Sequence, residues 1–211
     1  MKLLIITQKM DRNDPVLGFF HRWCEKIAAR LSRLHIICLQ QGTVALPPQV
    51  TVQSLGKERK ASRLAYIFSF YRLIWCLRAE YDVVFVHMNP VYILLGCVFW
   101  SIWRKPFYLW YNHEHGNLMT WFAARLAHTV FHTSAFSYTA RFPNSRKMPA
   151  GIDMELFSPR SDLQKIPNSI LYIGRIAPIK KIDVLVQAAI LLHRQGIPFT
   201  LTVAGAAEPH D

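Results

Sequence analysis

Acidic side chains are scarce in this chain: 13 Asp and Glu stand against 25 Lys and Arg in 211 residues, a net charge of +12. Such a balance favours partners that carry phosphate, whether nucleic acid, anionic lipid or nucleotide. Cysteine is also sparse. Cys24, Cys38, Cys76 and Cys97 are scattered with no Cys-x-x-Cys pair. That excludes a disulfide framework and the usual zinc spacing, and the four read as reduced core thiols of a cytosolic protein. No apolar run approaches the roughly 20 residues of a membrane span. The longest, Val91 to Trp103, sits between two strand-like runs and reads as a buried helix. The N-terminal apolar run, Leu3 to Thr7, is shorter than the roughly 7–15 residues of a signal-peptide core and reads as a first buried strand. There is no internal repeat, no low-complexity tract and no Gly-x-Gly-x-x-Gly. The aspartates of Asp11-Arg-Asn-Asp14 do not form an Asp-x-Asp metal motif. Nucleic-acid binding lacks a zinc spacing, an RNA-binding aromatic signature and a helix-turn-helix, so no nucleic-acid partner is expected.

The hydrophobic content is 52%, enough for one or two packed domains. Strand-like runs at Lys2–Thr7, His35–Leu39, Gln49–Leu55, Asp82–Val86, Phe107–Tyr111 and Thr129–His132 alternate with helical patterns. Those patterns cover Phe19–Leu34, Ala61–Arg78, Val91 onward and Asn117–Ala127. Alternation of this kind predicts an α/β fold with a parallel, Rossmann-like sheet flanked by helices. A proline-bearing, aperiodic stretch from Pro143 to Asn168 follows. Beyond it come one more strand, Ile170–Ile173, a helix from Lys180 to Gln195, and a strand, Phe199–Ala204. The expected domains are therefore 1–160 and 161–211, the second too short for a complete domain.

The helix Ala61–Arg78 carries two apolar stripes. Leu64, Ile67, Phe68, Tyr71, Ile74 and Trp75 form one, and Tyr66, Phe70, Leu73 and Leu77 form the other. One stripe can pack on the sheet. The other must meet a neighbouring helix, a partner or lipid, and the surrounding arginines suit an anionic membrane surface.

Ile170-Leu-Tyr-Ile-Gly-Arg-Ile-Ala-Pro-Ile-Lys-Lys-Ile-Asp183 carries the most chemical information. It reads as a strand, a tight loop and a helix start, with Arg175 and Lys180 placed where a phosphate could sit. Helix N-termini attract anions through unpaired N–H groups and the helix dipole, and two cations there suit a diphosphate. This segment resembles the nucleotide-sugar-binding motif of GT-B glycosyltransferases, in particular the large retaining group of bacterial sugar transferases. Met148-Pro-Ala-Gly-Ile-Asp-Met-Glu-Leu-Phe-Ser-Pro159 resembles that family's interdomain segment, with Ala150 in place of the usual Asn. Lys181 stands where many members have Gly.

The resemblance implies a GT-B fold whose second domain is truncated here. It implies a glycosyltransferase moving a sugar from a nucleotide-diphosphate sugar, the co-substrate, to a glycan or lipid-linked acceptor, with no separate cofactor and no metal. The acceptor belongs to the first domain and the donor to the second. Gly174, Arg175 and Lys180 hold the donor, and the two cations stabilise the leaving diphosphate. Gly18, in the place of the family's glycine-rich loop, adds a backbone contact. His113 lies in the loop where the family places a His near the transferred sugar. His87, Glu114 and His115, at strand ends and in that same loop, are acceptor-side candidates, Glu114 as a base. The expected location is cytoplasmic, peripheral on the inner membrane face. The alternative is a non-catalytic acceptor- or membrane-binding module, partnering a catalytic chain.

Overall fold

The computed structural model describes residues 1–160 and 162–207. The chain divides into two compact units, 1–152 and 153–211. The division falls earlier than the expected 160/161 boundary. Trp23 Nε1 donates to the Gly151 carbonyl (3.0 Å), which ties the chain to the first unit up to that point.

The first unit is built on seven parallel strands. These are β1 (Lys2–Met10), β2 (Arg33–Gln41), β3 (Val50–Ser54), β4 (Val83–His87), β5 (Phe107–Trp110), β6 (Thr129–His132) and β7 (Ser145–Lys147). Their order is β3-β2-β1-β4-β5-β6-β7, so the winding reverses between β1 and β4. The apolar runs of β1 and β2 are buried on both faces, as central parallel strands require. β7 is three polar residues on the sheet edge and carries no apolar pattern to announce it.

Helix α1 (Gly18–Ala28) lies against one face of the sheet with Phe20, Cys24 and Ala28 buried among Ile5, Leu34 and Ile36. It is shorter than the expected Phe19–Leu34 because Leu34 belongs to β2, where it pairs with Leu3. Helices α2 (Arg63–Cys76), α3 (Val91–Ile102) and α4 (Leu118–Leu126) form a layer over a larger apolar core. In α2 it is Phe70, Leu73 and Ile74 that are buried, while Leu64, Phe68 and Trp75 are exposed, so the stripe headed by Leu64 is split: Leu64, Phe68 and Trp75 face outward, and Ile74 turns into the core with Phe70 and Leu73. Ser62 caps α2 by accepting from the Ala65 amide, and Asn117 caps α4 by accepting from the Thr120 amide.

Not all four cysteines are core thiols. Cys24 and Cys38 are buried, but Cys76 is exposed on α2, and Cys97 on α3 is half-buried at the edge of the core. Burial pushes the Cys38 thiol up to about 12. Among the described residues no helix is long and apolar enough to cross a membrane.

The second unit is a parallel β-α-β piece. β8 (Ser169–Ile173) pairs with β9 (Thr200–Ala204), and helix α5 (Ile182–Arg194) is the crossover. A 3-10 turn, Pro178–Lys180, precedes α5, so Lys180 lies two residues before the helix rather than at its first position.

Candidate donor and acceptor sites

In open α/β sheets ligands gather at the carboxyl ends of the strands, beside the point where strand order reverses. In the first unit that point lies between β1 and β4. Thr7 and His87 meet there, with Thr7 Oγ1 and His87 Nδ1 hydrogen-bonded at 3.2 Å. The Phe20 ring stacks on the imidazole, 3.9 Å between centroids and 12° between planes. His87 is therefore 2% exposed and does not offer its ring to a ligand, a correction to its expected place among acceptor contacts. Phe20 is the cause, and it comes from a helix far away in sequence.

Burial lowers the His87 pKa to about 4. The unfolded chain binds that proton near pH 6.5, so stability is complete above pH 6.5 and falls as pH drops toward 4. From pH 7 to 4.5 this one group is expected to remove about 2–3 kcal/mol. His21 and His35, also lowered by burial, act in the same direction. Urea unfolding of the natural protein and of His87→Gln at both pH values checks this, the variant showing the shallower dependence.

Gly18 opens α1, but its amide donates to the Asp14 carbonyl (3.0 Å). A Cβ there would sit 3.0 Å from the Arg12 carbonyl oxygen, so the glycine serves close packing of its own loop. The Asp14 carboxylate accepts from the Val16 and Leu17 amides (2.9 and 2.7 Å) and pairs with Lys9 (2.5 Å). Burial pushes the Asp14 pKa up, but Lys9 and the two amides outweigh it and the net shift is downward. The turn that leads into α1 thus already holds a carboxylate of the chain itself. That leaves Gly18 without the phosphate contact expected of it.

The loop after β5 is braced from below. Ser137 Oγ and Thr139 Oγ1 donate to the Tyr111 carbonyl (2.9 and 3.0 Å), and the Tyr138 amide donates to the His113 carbonyl (2.8 Å). Tyr111 OH donates to the His115 carbonyl (2.8 Å), and the Thr133 amide donates to Asn112 Oδ1 (2.7 Å). Gly116 lies so close to the Tyr138 ring that a Cβ would meet it at 2.3 Å. These bonds fix the backbone while His113, Glu114 and His115 project outward, all three exposed. Glu114 and His115 are paired at 3.1 Å. A fixed loop with exposed polar tips can hold sugar hydroxyls at little ordering cost. The bracing residues Ser137, Thr139 and Tyr138 follow a different strand, which hid them from sequence reading. Among the described residues no group of three or more His, Cys, Asp and Glu is gathered as a metal would need.

In the second unit, Arg175 and Lys180 share the loop between β8 and α5, at the carboxyl end of β8. That loop is pinned on both sides. The Gly174 amide donates to the Ala204 carbonyl (3.0 Å) and the Ile176 amide to the Ala206 carbonyl (2.9 Å). Tyr172 OH donates to the Arg175 carbonyl (3.0 Å). Gly205 is forced by this approach, since a Cβ on it would come within 1.8 Å of the Gly174 carbonyl oxygen. The Lys180 amide donates to the Ala177 carbonyl (2.9 Å), and Ala177 is buried.

Lys181 then takes a left-handed conformation (φ 53°, ψ 44°), and no side chain caps the first turn of α5. A glycine suits that geometry at no steric cost, whereas an L side chain there costs about 1–2 kcal/mol. Lys181→Gly is expected to raise the unfolding free energy of this unit by about 1 kcal/mol, less the entropy glycine returns to the unfolded chain. Thermal unfolding followed by circular dichroism checks it. An uncapped helix start that follows Lys180, with Arg175 earlier in the same loop, has the chemistry of an anion site.

No protein-family model and no curated protein sequence matches the chain. Solved structures do. The apo form of the lipopolysaccharide outer core galactosyltransferase WaaB aligns over 98% of the chain and 68% of its own, at 12% identity and TM-score 0.55. Acinetobacter baumannii MurG aligns over 100% and 69%, at 11% identity and TM-score 0.53. An S. aureus MnaA–UDP co-structure aligns over 100% and 63%, at 12% identity and TM-score 0.52. The chain thus spans about two thirds of the length of the proteins it is similar to. At these identities the likeness shows the fold, an α/β Rossmann-like fold of the GT-B type.

Proposed function

We infer that the chain takes part in transfer of a sugar from a nucleotide-diphosphate sugar to a glycan or lipid-linked acceptor. The observation that supports this reading is the pinned β8–α5 loop, which carries Arg175 and Lys180 and leads into an uncapped helix start in a chain of GT-B fold. In the reaction an acceptor hydroxyl oxygen bonds to the anomeric carbon. The bond from that carbon to the diphosphate breaks, its electron pair stays on the departing phosphate oxygen, and the hydroxyl proton leaves to a base. Arg175 and Lys180 offset the charge that grows on the diphosphate, Arg as a planar fork and Lys as a point charge.

His113 holds a hydroxyl of the transferred sugar, and Glu114, paired with His115, is the proton acceptor on the acceptor side. The donor is a co-substrate and no further cofactor is required. The working location is cytoplasmic. One comparison structure holds UDP, which makes uridine diphosphate the first probe to use.

Calorimetric titration of the protein with UDP, GDP and ADP, and with their sugar conjugates, tests this reading. Saturable binding of at least one, weakened about tenfold or more by Lys180→Ala, is expected. Binding of none would overturn it.

A further inference from the structure

We propose that the outer face of the α2–α3–α4 layer is a docking surface for an anionic lipid bilayer. The inference uses none of the donor-site residues and stands apart from that reading.

The three helices bury their inner sides in one core, which leaves their outer ridges unpartnered. On α2 the outward ridge is Leu64, Phe68, Arg72 and Trp75, at successive spacings of four, four and three residues, one side of a helix. Leu64 and Phe68 are 78% and 72% exposed. The ridge continues onto α3 through Trp75 against Trp103 (5.8 Å between rings), where Val98 and Ile102 are 60% and 70% exposed. α3 packs beside α4, whose Leu118 and Phe122 are again exposed. Soluble monomers rarely carry so much contiguous apolar surface without a use for it.

Charge selects the occupant. α2, α3 and α4 contain no Asp or Glu. Between Arg59 and Ile152 the sequence has only three carboxylates, Glu80, Asp82 and Glu114. Two of them are engaged with Lys2, Glu80 by its side chain (3.9 Å) and Asp82 through the Lys2 amide (2.9 Å). The cations, by contrast, frame the apolar ridge: Lys60, Arg63, Arg72, Arg78 and Arg125 are all exposed, and among the described residues only Arg59, beside them, has a carboxylate partner, Glu58 (3.8 Å). Arg78 lies 4.9 Å over the Trp75 ring and Arg125 4.9 Å over the Trp121 ring, so guanidinium and indole present themselves at the same level. Apolar tips flanked by aromatic–arginine pairs match the boundary between acyl chains and headgroups. Each Lys or Arg near an anionic leaflet adds to the attraction. A second copy of the chain fits poorly, because pairing this face with itself would set arginine against arginine with no carboxylate between them.

Co-sedimentation of the natural protein with vesicles tests the assignment. One set is pure phosphatidylcholine, the other contains about one third phosphatidylglycerol. Partitioning onto the anionic vesicles is expected to be at least tenfold stronger and to weaken in high salt. Leu64→Ser/Phe68→Ser and Arg63→Gln/Arg72→Gln change exposed side chains, so both should keep the natural unfolding midpoint while losing about tenfold in partitioning. Equal partitioning onto both vesicle types, or none, or full partitioning by the two variants, would overturn the proposal. So would a dimer in analytical ultracentrifugation that Phe68→Ser dissociates, since the face would then belong to a second copy.

Discussion

Arg175→Ala is expected to slow sugar transfer by about 10²–10³-fold, the range seen when one preorganised charge-stabilising donor is removed. The size follows from where the charge develops. In the ground state the diphosphate is already ionised and solvated. As the anomeric bond breaks, one oxygen gains further negative charge, and a guanidinium held in place stabilises that state more than the bound donor. The holding is visible in the backbone: Arg175 follows Gly174, which is locked to Ala204, and its own carbonyl accepts from Tyr172 OH. Arg175→Lys should recover only part of the rate, because a point charge lacks the fork. Initial rates at saturating donor check this, with circular dichroism confirming that both variants fold. A rate within threefold of the natural protein for Arg175→Ala would remove the residue from its assigned role.

Trp100→Ala is expected to cost about 3–5 kcal/mol of stability, the usual range for deleting a fully buried indole. Trp100 is 0% exposed in the core beneath α2, α3 and α4, and packs directly over Gly96, where a Cβ would meet its ring at 2.3 Å. Its Nε1 donates to Tyr81 OH (3.2 Å), which in turn donates to the Ile74 carbonyl (3.3 Å). The substitution therefore leaves a cavity and also removes the donor that satisfied Tyr81. Burial raises the Tyr81 hydroxyl to about 12, the mark of a group shut off from water. Because Ile74 sits on α2 and Trp100 on α3, the loss also loosens the layer proposed to meet lipid. Urea unfolding measures the effect. A cost under 1 kcal/mol would mean the core closes over the gap.

The parts of this architecture that can be read from the sequence are those written locally. The apolar runs of β1, β4 and α3 announce themselves, and the strand–loop–helix around Gly174 and Arg175 is contiguous. Opacity begins where a residue's fate depends on a distant one. His87 ends a strand and reads as a ligand contact, yet Phe20, from another element, seals it. Gly18 reads as a phosphate-approach glycine, yet Asp14 has already taken the amides of that turn. Gly205 looks like an ordinary loop residue until the Gly174 carbonyl is brought against it by the β8–β9 pairing. Both sides of α2 carry apolar residues, so periodicity alone cannot tell which side faces the core. Lys181 is the opposite case. The resemblance puts glycine at this position, and the left-handed backbone of Lys181 gives such a preference a physical reason.

The most direct test of the central claim, that the β8–α5 loop grips a diphosphate, is calorimetric titration of uridine diphosphate into the natural protein and into Arg175→Ala/Lys180→Ala. The account predicts saturable binding by the natural protein and at least a tenfold loss in the double variant, with unchanged circular dichroism. Equal affinity in the two proteins would contradict it.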